Sequence, residues 1–325
     1  MGTVKAKRLR NERDTILLSR LPVLRKIYDT YVETYPINSI IPCVSDVYSD
    51  PVVQDLIMGP PLSATFTQEN LATVGALFPD IVLRWRKQTE EKLMNMITQG
   101  CPTPSATESV LQLAISVFSC QLCSNEPLTY PRVLVHRCAT RTTYYEPVND
   151  EDLSILRRSL DCWYWNSGNY ISFEAKKIVF LTKIIKLCGL DPKFATREDM
   201  DKLNPIFECL ACNDARKGRC TLSWLGVVYF LFSWLEILLL TLSHQYVHLR
   251  QHQERLDDLK IELLEDEDAA KVRDRMAEAL SKKKAQRLYN GLTCAHCKTV
   301  GDAVTLAQHV NERYVFILRR CLSSC

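Results

Sequence analysis

Three Cys-x2-Cys pairs constrain this chain more than any other feature: Cys120 with Cys123, Cys209 with Cys212, and Cys294 with Cys297. Each pair can turn two thiolates toward one ion about 2.3 Å away, and two further nitrogen or sulfur ligands complete a tetrahedron. Fourteen cysteines scattered at random over 325 residues give roughly 0.6 such pairs, so three are an excess that asks for a chemical reason. The first residues, MGTVKAKRLRNERDTILL, carry basic charge but no apolar core of signal-peptide length, which points to an intracellular setting, cytoplasm or nucleus, with reduced thiols. There, close-spaced cysteines read as zinc ligands before they read as disulfides. A Met-Gly start invites myristoylation, but Ala6 stands where that motif needs Ser or Thr.

The first site is the most complete. Cys120-x2-Cys123-x12-His136 has the spacing of a zinc finger's first three ligands, and Cys138 supplies a fourth. One residue between His136 and Cys138 is too short for a ββα finger, so a ribbon or treble-clef-like knuckle is expected. The second site pairs Cys209 and Cys212 with His248 and His252, four apart and able to share a helical face, with His244 nearby. The third opens with Cys294-x2-Cys297-x11-His309 and lacks an obvious fourth ligand, with His296, Cys321 and Cys325 as the remaining candidates.

Between Cys212 and His248 lie 35 residues that include the apolar run Leu222 to Leu242, in which only Glu236 is charged. Length and hydropathy suit a membrane span, with Arg216, Lys217 and Arg219 on its N-terminal side. A buried helix is a second reading. A translated intron is the third: Val228 to Gln245 can be bounded by GT and AG at the codon level, and its removal leaves 17 residues between Cys212 and His248. The tail VFILRRCLSSC is open to the same reading.

Elsewhere the pattern is helical, and ten glycines in the chain are few. Leu17, Leu18, Leu21, Leu24, Ile27, Tyr28 and Tyr31 recur on one helical face, with Pro22 as a restart point. Thr67 is a cap, and Asp80 begins a helix through Ile81, Leu83, Trp85, Leu93 and Ile97. Ser105 with Glu108 caps an apolar helix from Val110 to Phe118, and YPRVLVH suits a short strand. Ser172 to Leu187 reads as an amphipathic helix stopped by Gly189, and Thr196 with Asp199 caps the next. Gln253 to Leu288 reads as one long charged helix.

The expected fold is therefore mainly α, with small α+β zinc-stapled modules and no single large sheet. The parts are an N-terminal helical region (1–100), a helical region with the first zinc module and the start of the second (101–226), the apolar insert (227–245), a charged helix (246–290) and an incomplete C-terminal zinc module (291–325).

Several motifs taken together carry a resemblance: LTYPRVLVHRC after a cysteine pair, CGLDP and EDMD before FECLAC, LSWLG after it, and a late CAHCK with HV. In these the chain, over Ser119 to Val310, resembles a family of uncharacterised proteins from mushroom-forming fungi, some loosely described as F-box-like or zinc-finger-like. The resemblance implies a WLG segment running straight to a histidine pair and a late module ending in a second histidine. This chain departs at both places, and the family implies no activity or substrate.

No Gly-x-Ser-x-Gly elbow, His-Glu-x-x-His, phosphate loop or dinucleotide fingerprint occurs, and His136-Arg137-Cys138 lacks the glutamate of a zinc deaminase. The expectation is a non-enzymatic zinc-binding structural or interaction protein, an adaptor for a protein partner. A nucleic-acid binder, with Arg132, Arg137 and Arg141 beside the first site, is one alternative; the basic run Lys5, Lys7, Arg8 and Arg10 reads first as a solvated helix start, with a nuclear address or a nucleic-acid arm as its other readings. A single-pass membrane protein is the other.

Overall fold

The computed structural model describes residues 2–36, 39–100, 108–122, 127–140, 151–213, 218–232, 260–284, 292–293 and 300–301. Among these the fold is mainly helical, with two three-stranded antiparallel sheets, a two-stranded ladder and no large sheet, as the sequence leads one to expect. Two compact units are each assembled from separated stretches: Met1–Thr89 with Leu134–Tyr170 and Leu288–Cys325, and Glu90–Val133 with Ile171–Arg287.

In the first unit, α1 (Gly2–Thr34) runs through Pro22 without a restart. Leu17, Leu21, Leu24, Ile27, Tyr28 and Val32 are buried along one face, while Leu18 is exposed. They pack with α2 (Val44–Tyr48), α3 (Pro51–Met58), the start of α4 (Ala72–Gly100) and α5 (Glu151–Leu160) around one apolar core. Asp50 caps α3 by accepting from the Val52 amide and holds Arg84 in an ion pair at 2.6 Å. Asp80 does not begin a helix. Leu71, Val74, Phe78, Ile81, Trp85, Thr89, Leu93 and Ile97 form one unbroken buried stripe at spacings of three and four, so burial carries α4 past Pro79.

In the second unit, β1 (Val117–Cys120) is the middle strand of the order β2-β1-β3, with β2 at Leu128–Thr129 and β3 at Ile171–Phe173. The expected helix from Val110 to Phe118 is thus a 3-10 turn (Glu108–Gln112) followed by a strand. All four β1 residues are buried, and a short apolar run paired on both edges becomes a strand whatever its local leaning. The expected strand in YPRVLVH is instead a 3-10 turn, Arg132–Val135, since Pro131 has no N–H to give a ladder. The helix placed at Ser172 starts later, as α6 (Ala175–Leu187), because Ile171, Ser172 and Phe173 are taken by pairing with β1.

Helix α6 ends in a Schellman motif. Gly189, at φ +73°, donates to Lys186 at 3.0 Å, and Leu190 donates to Ile185 at 3.3 Å. Helix α7 (Arg197–Leu203) opens on the Thr196–Asp199 capping box expected from sequence. A second sheet follows, β5-β4-β6, from β4 (Ile206–Cys209), β5 (Thr221–Ser223) and, after α8 (Trp224–Phe232), β6 (Ile261–Leu263). Then comes α9 (Asp266–Lys284). Of the single charged helix expected from Gln253 to Leu288, the described part therefore holds a strand ahead of α9, and residues 253–259 and 285–288 lie outside the described residues. Ile261, Glu262 and Leu263 alternate in polarity, and β4 offers them a ladder that isolated sequence cannot reveal. A short hairpin, β7 (Leu292–Thr293) with β8 (Val300–Gly301), brackets the third cysteine pair.

The apolar run is divided at its start. Leu222 lies in β5 with its side chain buried, and Trp224, Val227 and Val228 are buried in the core that α6 and α7 also line. No helix among the described residues is long and apolar enough to cross a membrane. Helix α8 carries the run on to Phe232, and the remainder from 233, with His244, His248 and His252, lies outside the described residues.

Candidate metal centre

Cys120 ends β1 and is fully buried, because the strand that carries it is covered on both edges. The Leu122 amide donates to its sulfur at 3.4 Å, a bond that partly compensates the charge of a thiolate. This N–H to sulfur contact, two residues on, curls the chain into a knuckle immediately before Cys123, which itself lies outside the described residues.

His136 and Cys138 come from the stretch that follows β2. Val133 and Leu134 are buried and anchor the 3-10 turn ahead of His136. The His136 carbonyl accepts from Ala139 at 3.0 Å, and the next turn, Arg137–Thr140, buries Cys138 at 5% exposure. Asn166 and Trp163 amides donate to Ala139 at 2.6 Å and to Thr140 at 2.9 Å, so the backbone after Cys138 is held from outside.

The donor atoms of Cys120, His136 and Cys138 all lie within 4.8 Å of one another. Tetrahedral zinc with bonds of about 2.0 to 2.3 Å separates its ligands by roughly 3.3 to 3.8 Å, so small side-chain movements seat an ion. Two sulfurs and an imidazole are a soft, zinc-type donor set. The structure thus brings together three of the four residues assigned to the first site.

The second expected site is only half visible. Cys209 ends β4 fully buried, and Cys212 closes a 3-10 turn, Leu210–Cys212, its side chain outside the described residues along with His248 and His252. Sequence reasoning overlooked Cys220, which sits just before β5 at 8% exposure and packs against Cys209. Its signal was a cysteine eight residues beyond Cys212, directly ahead of the apolar segment that returns to the sheet. Cys294, Cys297 and His309 of the third site, and its other candidates His296, Cys321 and Cys325, lie outside the described residues.

A further pair, Cys43 and Cys162, was also unread in the sequence. Cys43 donates to the Asp46 carboxylate at 3.1 Å and to the Trp163 carbonyl at 3.3 Å, while Ser45 bonds the Cys162 carbonyl at 2.8 Å. Burial pushes the Cys43 thiol well up, which disfavours its thiolate and suits a packing role.

No family model, curated protein or solved structure matches the chain.

Proposed function

We propose that the chain is a zinc-binding structural and interaction protein, in which one ion is held by Cys120, Cys123, His136 and Cys138 and staples the strand β1 to the turn after β2. The observation that carries this reading is the convergence of the Cys120, His136 and Cys138 donor atoms within 4.8 Å. Zinc supplies folding energy at such a site, since the ligands are brought together only in the folded chain. A four-ligand set leaves no open position for substrate, which favours a scaffold over a catalyst. The exposed apolar side chains of Phe194, Val179, Leu187 and Leu203 on the second unit support a protein partner for that scaffold.

Zinc content of the purified full chain tests the metal reading. His136→Ala and Cys138→Ser each lose one equivalent of zinc relative to the unchanged chain, and chelation lowers thermal stability. A zinc-free chain of undiminished stability overturns it. Arg132 and Arg137 are exposed beside the site, and binding to nucleic acid that weakens steeply with salt would replace the protein partner with a polyanion.

A further inference from the structure

The two three-stranded sheets repeat one another. In the first, Phe118-Ser119-Cys120 of the middle strand pairs Phe118 with Phe173, Ser119 with Ser172 and Cys120 with Ile171. In the second, Phe207-Glu208-Cys209 pairs Phe207 with Leu263, Glu208 with Glu262 and Cys209 with Ile261. On the other edge Phe118 faces Leu128, and Phe207 faces Leu222. In both, the third strand leads within three residues into a helix, α6 or α9. Cys209 therefore occupies the place of Cys120, and each is followed after two residues by a second cysteine.

The second sheet also has a third thiol in place. The Cys209 amide donates to the Cys220 carbonyl at 2.9 Å, closing the hairpin between β4 and β5 so that the two buried side chains touch. A brace independent of the thiols holds this closure. Asn213 accepts from the Cys220 amide at 2.9 Å and donates to the Glu208 carboxylate at 2.6 Å, and Glu208 also accepts from Arg219 Nε at 2.8 Å. Asn213 and Arg219 thereby hold the Cys209-Leu210-Ala211-Cys212 turn on one side and Cys220 on the other against Glu208.

We propose that Cys209, Cys212 and Cys220 form a second zinc site, a three-thiolate knuckle at the β4–β5 hairpin. Three thiolates at this spacing match a Cys3His set, and the remaining tetrahedral position goes to a nitrogen or water ligand. The spacing of Cys212 to Cys220 replaces the long reach to His248 as the core of the site. Its ligands are distinct from Cys120, His136 and Cys138, so the two sites fail separately.

Cobalt is the probe, because thiolate-to-cobalt charge transfer reports sulfur ligation directly. The full chain is titrated with Co2+ alongside Cys220→Ser and Cys138→Ser. Cys220→Ser is expected to lose one equivalent of cobalt and its share of the charge-transfer band, while the equivalent lost from Cys138→Ser remains bound. Full cobalt binding with an unchanged band in Cys220→Ser overturns the proposal, whatever the first site does. Should that variant not fold, the unaltered zinc-loaded chain is alkylated with and without chelator, each rate normalised to Cys188. Cys220 and Cys209 accelerating together on chelation supports the site, and a Cys220 rate that does not change overturns it.

Discussion

Asn213 bridges the backbone of Cys220 and the carboxylate of Glu208, accepting from the one at 2.9 Å and donating to the other at 2.6 Å. Glu208 is 5% exposed, so its charge is compensated inside the module, and the Arg219 guanidinium beside it holds its carboxyl below the usual range. Asn213→Ala removes both contacts at once. It is expected to cost about 1–3 kcal/mol, the range for leaving a partly buried polar group without its partner. Denaturant unfolding checks it, and Asn213→Asp, which keeps the acceptor but faces Glu208 with like charge, should not rescue.

Arg20 is 1% exposed within the first unit's core, where its guanidinium donates to the carbonyls of Ile57, Pro60 and Pro61 and lies 4.8 Å from the centre of the Phe66 ring. One side chain thus closes the loop after α3. Arg20→Leu fits the volume but leaves carbonyls unbonded, with an expected loss of about 3 kcal/mol. Arg20→Lys, with a compact ammonium instead of a planar fork, should recover only part of it in the same melt.

The ends of α6 and α7 give smaller, separable effects. Gly189→Ala meets no neighbouring atom but must adopt a positive φ, so about 1 kcal/mol is expected from backbone strain alone. Thr196→Ala removes the bond from the Asp199 amide to the capping hydroxyl and should cost about 1 kcal/mol. The double variant, measured by the same unfolding curve, should be close to additive.

Burial pushes the Cys188 thiol up to about 11 from an ordinary 9.0. The folded chain therefore disfavours the thiolate. The sign follows: this contribution to stability is complete below pH 9 and is lost as pH rises through 9 toward 11. Cys188→Ala should flatten the alkaline limb of the stability curve over that window, and an unchanged slope would show that another group sets it.

Substituting Phe118 or Phe207, both fully buried at matching positions of the two sheets, should cost about 3–5 kcal/mol each as alanine. The size of each loss reads the stability of its own sheet. Cys120 and Cys209 lie two residues further along the same strands, so zinc uptake measured on the same samples should fall with stability.

Much of the helical fold was legible. Period alone picks out Leu17, Leu21 and Leu24 of α1 and Ile178, Leu181, Ile184 and Ile185 of α6, because one stripe per helix must be buried. The caps at Thr196 and Gly189 are equally local, since a hydroxyl and a missing Cβ act within one turn. The strands were harder. Val117 to Cys120 and Ile261 to Leu263 are too short for period to separate strand from helix, and their partners lie up to 56 residues away in sequence.

Sequence by itself determined the chemistry of this protein: thiols in pairs three apart, an imidazole and a thiol downstream, and helices whose faces and ends are written in residue type. Tertiary structure alone decided which of those groups meet. Cys120, His136 and Cys138 converge, and Cys220 is laid against Cys209, because ladder bonds form between strands distant in sequence. A spacing states how far a ligand can reach, and only the paired strand states where it ends.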